Sequence, residues 1–229
     1  MSETVGAILL AAGHGRRLGH DKSITEIAGQ PVLAYPLRAL LDCPAIGSVM
    51  VTVREDVLEP AREWLATTKL AKDRVRFISG GKERQDSVWE GLEALGRGVE
   101  WAVVHDAARV LTTRVLIEKV MAAAQATGAA AAASKMSDTV RATDGDGKIL
   151  RLVDREGLWR METPQVVRAE VLRKGLSLAR EKKTTVTDCL AAAELAGVKG
   201  VLVESGEPNL KITVPADWAL AERWLKPWR

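Results

Sequence analysis

The run Ala7-Ile8-Leu9-Leu10-Ala11-Ala12-Gly13-His14-Gly15-Arg16-Arg17-Leu18-Gly19-His20-Asp21-Lys22 decides how the chain is read. Its apolar opening, Ala7 to Leu10, has the length of a buried strand. Small residues and glycines follow, which let the backbone turn tightly and come close to a ligand. Arg16, Arg17 and Lys22 bring cations to the same turn. This combination suits polyphosphate, because backbone amides bond the oxygens while the side chains neutralise their charge. Two better-known phosphate loops do not fit. The stretch lacks the Gly-Lys-Ser/Thr of a Walker A loop, and Gly13, Gly15 and Gly19 are spaced G-x-G-x-x-x-G where a dinucleotide fingerprint needs G-x-G-x-x-G. About twenty residues on, Pro31-Val32-Leu33 offers no acidic partner for a ribose.

Composition narrows the class. The 229 residues are 47% apolar and 28% charged, which fits one α/β domain with a sizeable core. A net charge of +3, with basic residues at scattered sites and not in a run, points to a small anionic substrate and away from nucleic acid. Cys43 and Cys189 form neither a disulfide framework nor a CxxC zinc site. The N-terminus has no basic region ahead of its apolar run, and no segment reaches membrane-spanning length. The expectation is a cytoplasmic enzyme without nucleic-acid or membrane partners.

Along the chain, short apolar or β-branched runs alternate with amphipathic stretches, the pattern of a largely parallel sheet covered by helices. Strands are predicted at Val5–Leu10, Ser48–Val53, Val75–Ile78, Trp101–His105, Val201–Glu204 and Leu210–Val214. Ala129–Ala133 is read as a strand although alanine favours helix. Helices are expected from Pro31, over Val57–Leu65, behind an Asp86-Ser87 cap, over Thr113–Thr127, from Thr187-Asp188 to Gly197, and from Pro215 to about Leu225. Thr139–Thr143 and Lys148–Val153 flank Asp144-Gly145-Asp146-Gly147, a hairpin signature. Its many polar positions suit an arm, about residues 136–155, projecting from one domain onto a second subunit.

Three further segments carry chemistry. Gly80-Gly81-Lys82-Glu83-Arg84-Gln85-Asp86-Ser87 follows a strand and opens a helix, so its glycines permit close backbone approach and Ser87 can cap or bond a ligand. His105-Asp106-Ala107-Ala108-Arg109 ends an apolar strand at the sheet edge where ligands bind. Asp106 there can hold Mg²⁺ against phosphate oxygens, the two alanines leave room, and Arg109 can take a second phosphate. His105 is given a structural role. Asn209-Leu210-Lys211-Ile212-Thr213 places Lys211 on a predicted strand. Asp138-Thr139, Asp154-Arg155 and Thr163-Pro164-Gln165 each suit a turn or a cap.

In order, LLAAGHGRRL, GGKERQDSV, HDAAR, DTV, VDREGLW, TPQ, TD and NLKIT resemble the 2-C-methyl-D-erythritol 4-phosphate cytidylyltransferase family over nearly the whole chain. The resemblance implies a Rossmann-like, nucleotide-diphospho-sugar-transferase type α/β domain with a projecting β-arm that helps form a homodimer. It implies transfer of CMP from CTP to methylerythritol phosphate, with release of pyrophosphate and with Mg²⁺ as cofactor. By motif match, Arg17, Lys22 and Lys211 are the catalytic cations and Asp106 the metal ligand. Ala11, Ala12, Gly13, Gly81 and Ser87 match nucleotide-binding positions. Arg109, Thr139, Arg155, Thr163, Thr187 and Asp188 match substrate-side positions.

The chain departs from the family pattern at Asp21-Lys22-Ser23, Val110, Cys189 and Pro208. The nearest alternative is a ribitol-5-phosphate cytidylyltransferase, against which Ala108, Ser87 and Val88 speak. A CTP-binding regulator without turnover on the same fold is the alternative from another class.

Overall fold

The structure is a computed structural model and describes residues 4–13 and 24–225. Among these, the elements in order are β1 (Val5–Leu10), β2 (Glu26–Ile27), β3 (Gln30–Pro31), α1 (Ala34–Leu41), β4 (Ile46–Val53), α2 (Leu58–Thr67), β5 (Val75–Ser79) and α3 (Arg84–Leu95). There follow β6 (Trp101–Asp106), α4 (Arg114–Thr127), β7 (Ala129–Lys135), β8 (Val140–Thr143), β9 (Ile149–Val153), β10 (Trp159–Arg168), α5 (Ala169–Glu181), α6 (Cys189–Leu195), β11 (Val201–Glu204) and α7 (Pro215–Leu225).

Seven strands form the main sheet in the order β11-β7-β10-β6-β1-β4-β5. β10 runs antiparallel to both neighbours, and the other pairings are parallel. Side chains alternate across each strand, so every strand feeds two cores. From β1, Ala7 and Leu9 join Leu37, Leu40, Ala61, Ile117 and Val120 of α1, α2 and α4 on one face. Ile8 joins Leu92, Leu172 and Ala193 of α3, α5 and α6 on the other. A strand buried on both faces reads as a continuous apolar run, as Val5–Leu10 does.

The same burial explains β7. Ala130 and Ala132 face the first core while Ala129 and Ala131 face the second, all fully buried. Alanine's helix preference amounts to roughly a few tenths of a kcal/mol per residue over most alternatives, and packing overrides it. A third cluster, Ile27, Val32, Val110, Leu111, Ile212, Ala221 and Leu225, seats α7 over the β2–β3 hairpin and the loop after β6.

α5 and α6 pack closely where glycine removes a side chain. A Cβ on Gly175 of α5 would lie 1.9 Å from the Ala192 carbonyl oxygen of α6, so the two helices touch backbone to backbone.

Four expectations need correction. Leu210–Val214 is not a strand; it is an extended strap that pairs with no ladder, with Ile212 N donating to Ala108 O at 2.9 Å. The helix behind Pro31 begins three residues later, at Ala34, because Pro31 belongs to β3. The helix after Gly80-Gly81 starts at Arg84, capped by Glu83 with Asp86 reaching back to the Glu83 N–H, so Asp86 and Ser87 lie inside it. Thr163-Pro164-Gln165 is neither turn nor cap but the middle of β10. Pro164 is accommodated there because the ladder to β7 shifts register between Met161 and Gln165, so no N–H is required of it.

β8 and β9 form a separate antiparallel hairpin, with Val140 opposite Val153 and Arg141 opposite Leu152. The predicted hairpin is present, as a two-stranded sheet separate from the main one. Ile149, Leu150 and Leu152 on it are each more than half exposed.

Candidate active site

The parallel strands β1, β4, β5 and β6 end at one edge, and their loops build a cavity of about 230 Å³. Its wall includes Ala11, Ala12, Gly13, Gly81, Ser87, Asp106 and Lys211, which the fold gathers from nearly the full length of the chain. Arg17 and Lys22 lie outside the described residues.

The wall is held by backbone bonds between neighbouring strand ends. Ala11 N donates to Thr52 O at 2.8 Å, Gly80 N to Val53 O at 2.7 Å and Ala107 N to Leu10 O at 2.9 Å. The two glycines are there for space. A Cβ on Gly80 would lie 2.4 Å from that of Ala12, and one on Gly81 would lie 2.2 Å from that of Asp86. Any larger residue would therefore push the 11–13 turn away from the start of α3. Ser87, 5% exposed, accepts from Gly81 N at 3.1 Å and so ties the glycine loop to the first turns of α3. The positive end of that helix faces the cavity.

Asp106, the last residue of β6, is the electrostatic centre. Lys211 Nζ lies 2.8 Å from its Oδ2 and Arg84 Nε 3.6 Å from its Oδ1. Burial works against the charged carboxylate, but Arg84 and Lys211 outweigh it and hold the group well below the usual carboxylate range. Asp106 is therefore an anion at neutral pH. Its neighbour His105 is fully buried, with Nδ1 3.0 Å from Thr163 Oγ1 and Nε2 3.4 Å from Arg109 O. Burial pushes the imidazole pKa down to about 4, so it is neutral at neutral pH and serves as a prop, in keeping with the structural role given to it from the sequence.

Among the described residues, no group of three or more His, Cys, Asp or Glu side chains clusters as a metal site. A cation at this edge would rest on Asp106 and take phosphate oxygens and water for the rest of its shell. That sparse, all-oxygen donor set is the one Mg²⁺ favours, so the residues present fit it.

The remaining predicted residues stand outside this cavity. Arg109, 8% exposed, turns into the protein, where Nη1 donates to Asn209 O at 2.6 Å and Nη2 to Met161 O at 3.4 Å. Thr163 is buried, accepting from Asp106 N at 3.0 Å. Asp188 caps α6, accepting from Leu190 N and Ala191 N at 2.9 Å each, beside the exposed Thr187. Thr139 and Arg155 lie exposed at the base of the arm, where Arg155 donates to Ser137 O.

Two residues of the site escaped the sequence reading. Glu162, 3% exposed, accepts from Ser134 at 2.9 Å, Ser205 at 2.7 Å and Asn209 Nδ2 at 2.9 Å, and so fixes the strap that carries Lys211. No pattern marks it. Arg84 did leave a signal: a cation in the first turn of a helix opposes the macrodipole and calls for another reason to be there.

A larger, open groove of about 760 Å³ lies at the amino edge of the sheet, lined by Arg97, Arg168, Arg173 and Lys174 among others. Two of these cations are paired, Arg168 with Glu100 at 3.1 Å and Arg173 with Glu93 at 2.9 Å.

A mostly parallel, helix-flanked sheet with a glycine-walled, cation-bearing cavity at the carboxyl edge of its strands defines a nucleotidyltransferase of Rossmann-like fold. Residues 5–227 match the family model described as 2-C-methyl-D-erythritol 4-phosphate cytidylyltransferase. The enzyme of that name from Pelotomaculum thermopropionicum is 37% identical, covering 98% of this chain and 95% of its own, and that from Aeromonas hydrophila is 38% identical over 96% and 89%. The crystal structure of the Thermus thermophilus cytidylyltransferase aligns with a TM-score of 0.78 at 30% identity, covering 99% of this chain and 100% of its own. That of 4-diphosphocytidyl-2C-methyl-D-erythritol synthase from Anaerococcus prevotii aligns with a TM-score of 0.85 at 25% identity, over 99% and 100%. The chain belongs to the 2-C-methyl-D-erythritol 4-phosphate cytidylyltransferase family.

Proposed function

We propose that this chain transfers CMP from CTP to 2-C-methyl-D-erythritol 4-phosphate in isoprenoid biosynthesis, releasing pyrophosphate. The observation that carries the proposal is the Lys211–Asp106–Arg84 charge cluster facing the glycine-walled cavity. A phosphate oxygen of the acceptor attacks the α-phosphorus in line. One P–O bond forms as the bond from the α-phosphorus to the bridging oxygen breaks, and pyrophosphate leaves with that electron pair. The acceptor brings its own nucleophilic oxygen, so the protein's work is positioning and charge stabilisation.

Lys211 is placed to meet charge growing on the α-phosphate. Arg17 and Lys22, by family match, meet the triphosphate and the departing pyrophosphate. Ala11, Ala12, Gly13, Gly81 and Ser87 cradle the cytidine through backbone groups and one hydroxyl. Asp106 would hold Mg²⁺, which when bound supplies further neutralisation of the phosphates. By family match, Arg109, Thr163, Thr187 and Asp188 belong to the acceptor side. Thr139 and Arg155 reach the acceptor bound to a second subunit, and the exposed Ile149, Leu150 and Leu152 suit the arm to a homodimer contact. A cytoplasmic setting supplies CTP; among the described residues no helix is long and apolar enough to cross a membrane.

The test is pyrophosphate release from CTP and Mg²⁺ with methylerythritol phosphate or ribitol 5-phosphate as acceptor. Release with the first alone is expected. Release with ribitol 5-phosphate alone keeps the mechanism and overturns the pathway, and CTP binding without release makes the chain a regulator.

A further inference from the structure

We infer that Arg84 is a positioning residue for this reaction, acting through Asp106 and not on the substrates. The inference rests on the cytidylyltransferase reading above. Lys211 and Arg84 approach different oxygens of one carboxylate, from the strap at 2.8 Å and from α3 at 3.6 Å. Their surroundings differ. Lys211 Nζ belongs to a side chain 41% exposed and can swing toward a phosphate, whereas the Arg84 side chain is 28% exposed and anchored at its far end. Arg84 Nη2 donates to Gln165 Oε1 at 3.4 Å and Nη1 lies 3.9 Å from Cys189 Sγ. Gln165 is itself fixed: it is 2% exposed, its Oε1 accepts from Cys189 N at 2.9 Å and its Nε2 donates to Glu162 O at 3.1 Å.

These anchors are neutral, so the guanidinium charge is directed at Asp106. When charge growing on the α-phosphate in the transition state draws Lys211 away, the nearly buried Asp106 would lose the nearer of its two cations, which is costly. Arg84 removes that cost. It holds the Asp106 carboxylate in one orientation while Lys211 changes partner, which lets the lysine act on the phosphates without the site collapsing behind it. A planar fork anchored on two atoms and turned to a third does this; a lysine, a single mobile charge, does not.

The test combines a double-mutant cycle with a binding measurement on the full chain. In wild type, pyrophosphate release from CTP and methylerythritol phosphate establishes the activity on which the inference stands; its absence would sink that reading and not this one alone. Given activity, Arg84→Lys, which keeps the charge, is expected to lower turnover about 10- to 100-fold, the usual cost of disturbing a group behind a ligating carboxylate. Metal-free CTP affinity, measured by calorimetry in the presence of chelator, should stay within about threefold of wild type, since turnover and not ground-state binding is lost. Adding Arg84→Lys to Asp106→Asn should cost little more than Asp106→Asn alone, because one residue acts through the other. Additive losses would overturn the inference and make Arg84 a substrate contact. So would wild-type turnover in Arg84→Lys, wild-type turnover in Asp106→Asn, or an equal fall of binding and turnover.

Discussion

Lys211 Nζ and Asp106 Oδ2 meet at 2.8 Å from segments that share no ladder: a strand buried on both faces and an irregular strap. The strap is fastened ahead of the lysine by Asn209, whose Nδ2 donates to Glu162 at 2.9 Å and to Thr163 O at 2.8 Å. Behind it, Ile212 N bonds Ala108 O at 2.9 Å. The lysine sits between two fixed points, and its ammonium is the mobile part.

In the proposed mechanism Lys211 meets developing charge, and Lys211→Ala removes that cation. Pyrophosphate release is expected to fall about 10²- to 10³-fold, the loss typical of one stabilising donor. The melting temperature should stay close to wild type, since the lysine side chain is 41% exposed and Arg84 still faces Asp106. Turnover within about threefold of wild type would remove Lys211 from the reaction.

Glu162→Gln removes the buried charge opposite the Arg109 guanidinium, whose Nη1 lies 4.0 Å from Glu162 Oε2. With that charge gone, and the hydrogen bonds from Ser205 and Asn209 made to a neutral amide, stability should fall by about 1–3 kcal/mol in urea unfolding. Arg160→Ala is the control. Its guanidinium reaches Glu162 from a side chain 72% exposed, so its loss should be nearly silent.

Gly175→Ala forces α5 away from α6, because the new methyl would lie 1.9 Å from Ala192 O. The backbone oxygen cannot rotate aside as a side chain would. Thermal unfolding should show a loss of about 1–3 kcal/mol, the usual range for overpacking. An unchanged melting temperature would mean that the helices separate at no cost.

Cys43 gives a pH dependence of definite sign. The thiol is fully buried and donates to Ala39 O at 3.4 Å, and burial above all raises its pKa from 9.0 to about 11. Above pH 9 the unfolded chain loses this proton while the folded one keeps it, so stability falls as pH rises from 9 towards 11. Its contribution is whole below pH 9. Denaturation midpoints measured across that window should decline more steeply in wild type than in Cys43→Ala, and equal slopes would contradict the assignment.

The parts of the fold legible in the sequence were those in which one residue pattern answers to one environment. Val5–Leu10 and Trp101–Asp106 are apolar nearly throughout because both faces are covered, and Pro215–Leu225 announces itself by its opening proline. β10 was hidden. Its Glu162, Thr163 and Gln165 are buried polar groups satisfied by partners far away in sequence, such as Ser205 and Cys189, so neither hydropathy nor alternation could place them. The strap misled for the opposite reason: alternation is present in Leu210-Lys211-Ile212, but a neighbouring strand is not. Of the site, the glycine loop, Asp106 and Lys211 were found from their motifs. Arg84 was not singled out, because its meaning lies in a contact across to another strand.

The reversed direction of β10 has a consequence for how such a protein can change. β7 delivers the chain to the cavity edge, and β10 takes it back from that edge. The segment between Lys135 and Trp159 is thereby an insert, and its hairpin pairs with itself and not with the seven-strand sheet. Mutation can lengthen, trim or re-surface that insert while the strand ends that wall the cavity stay where they are. If the insert carries the acceptor contacts and the dimer contact proposed for it, those two properties can drift together while the chemistry at the cavity does not.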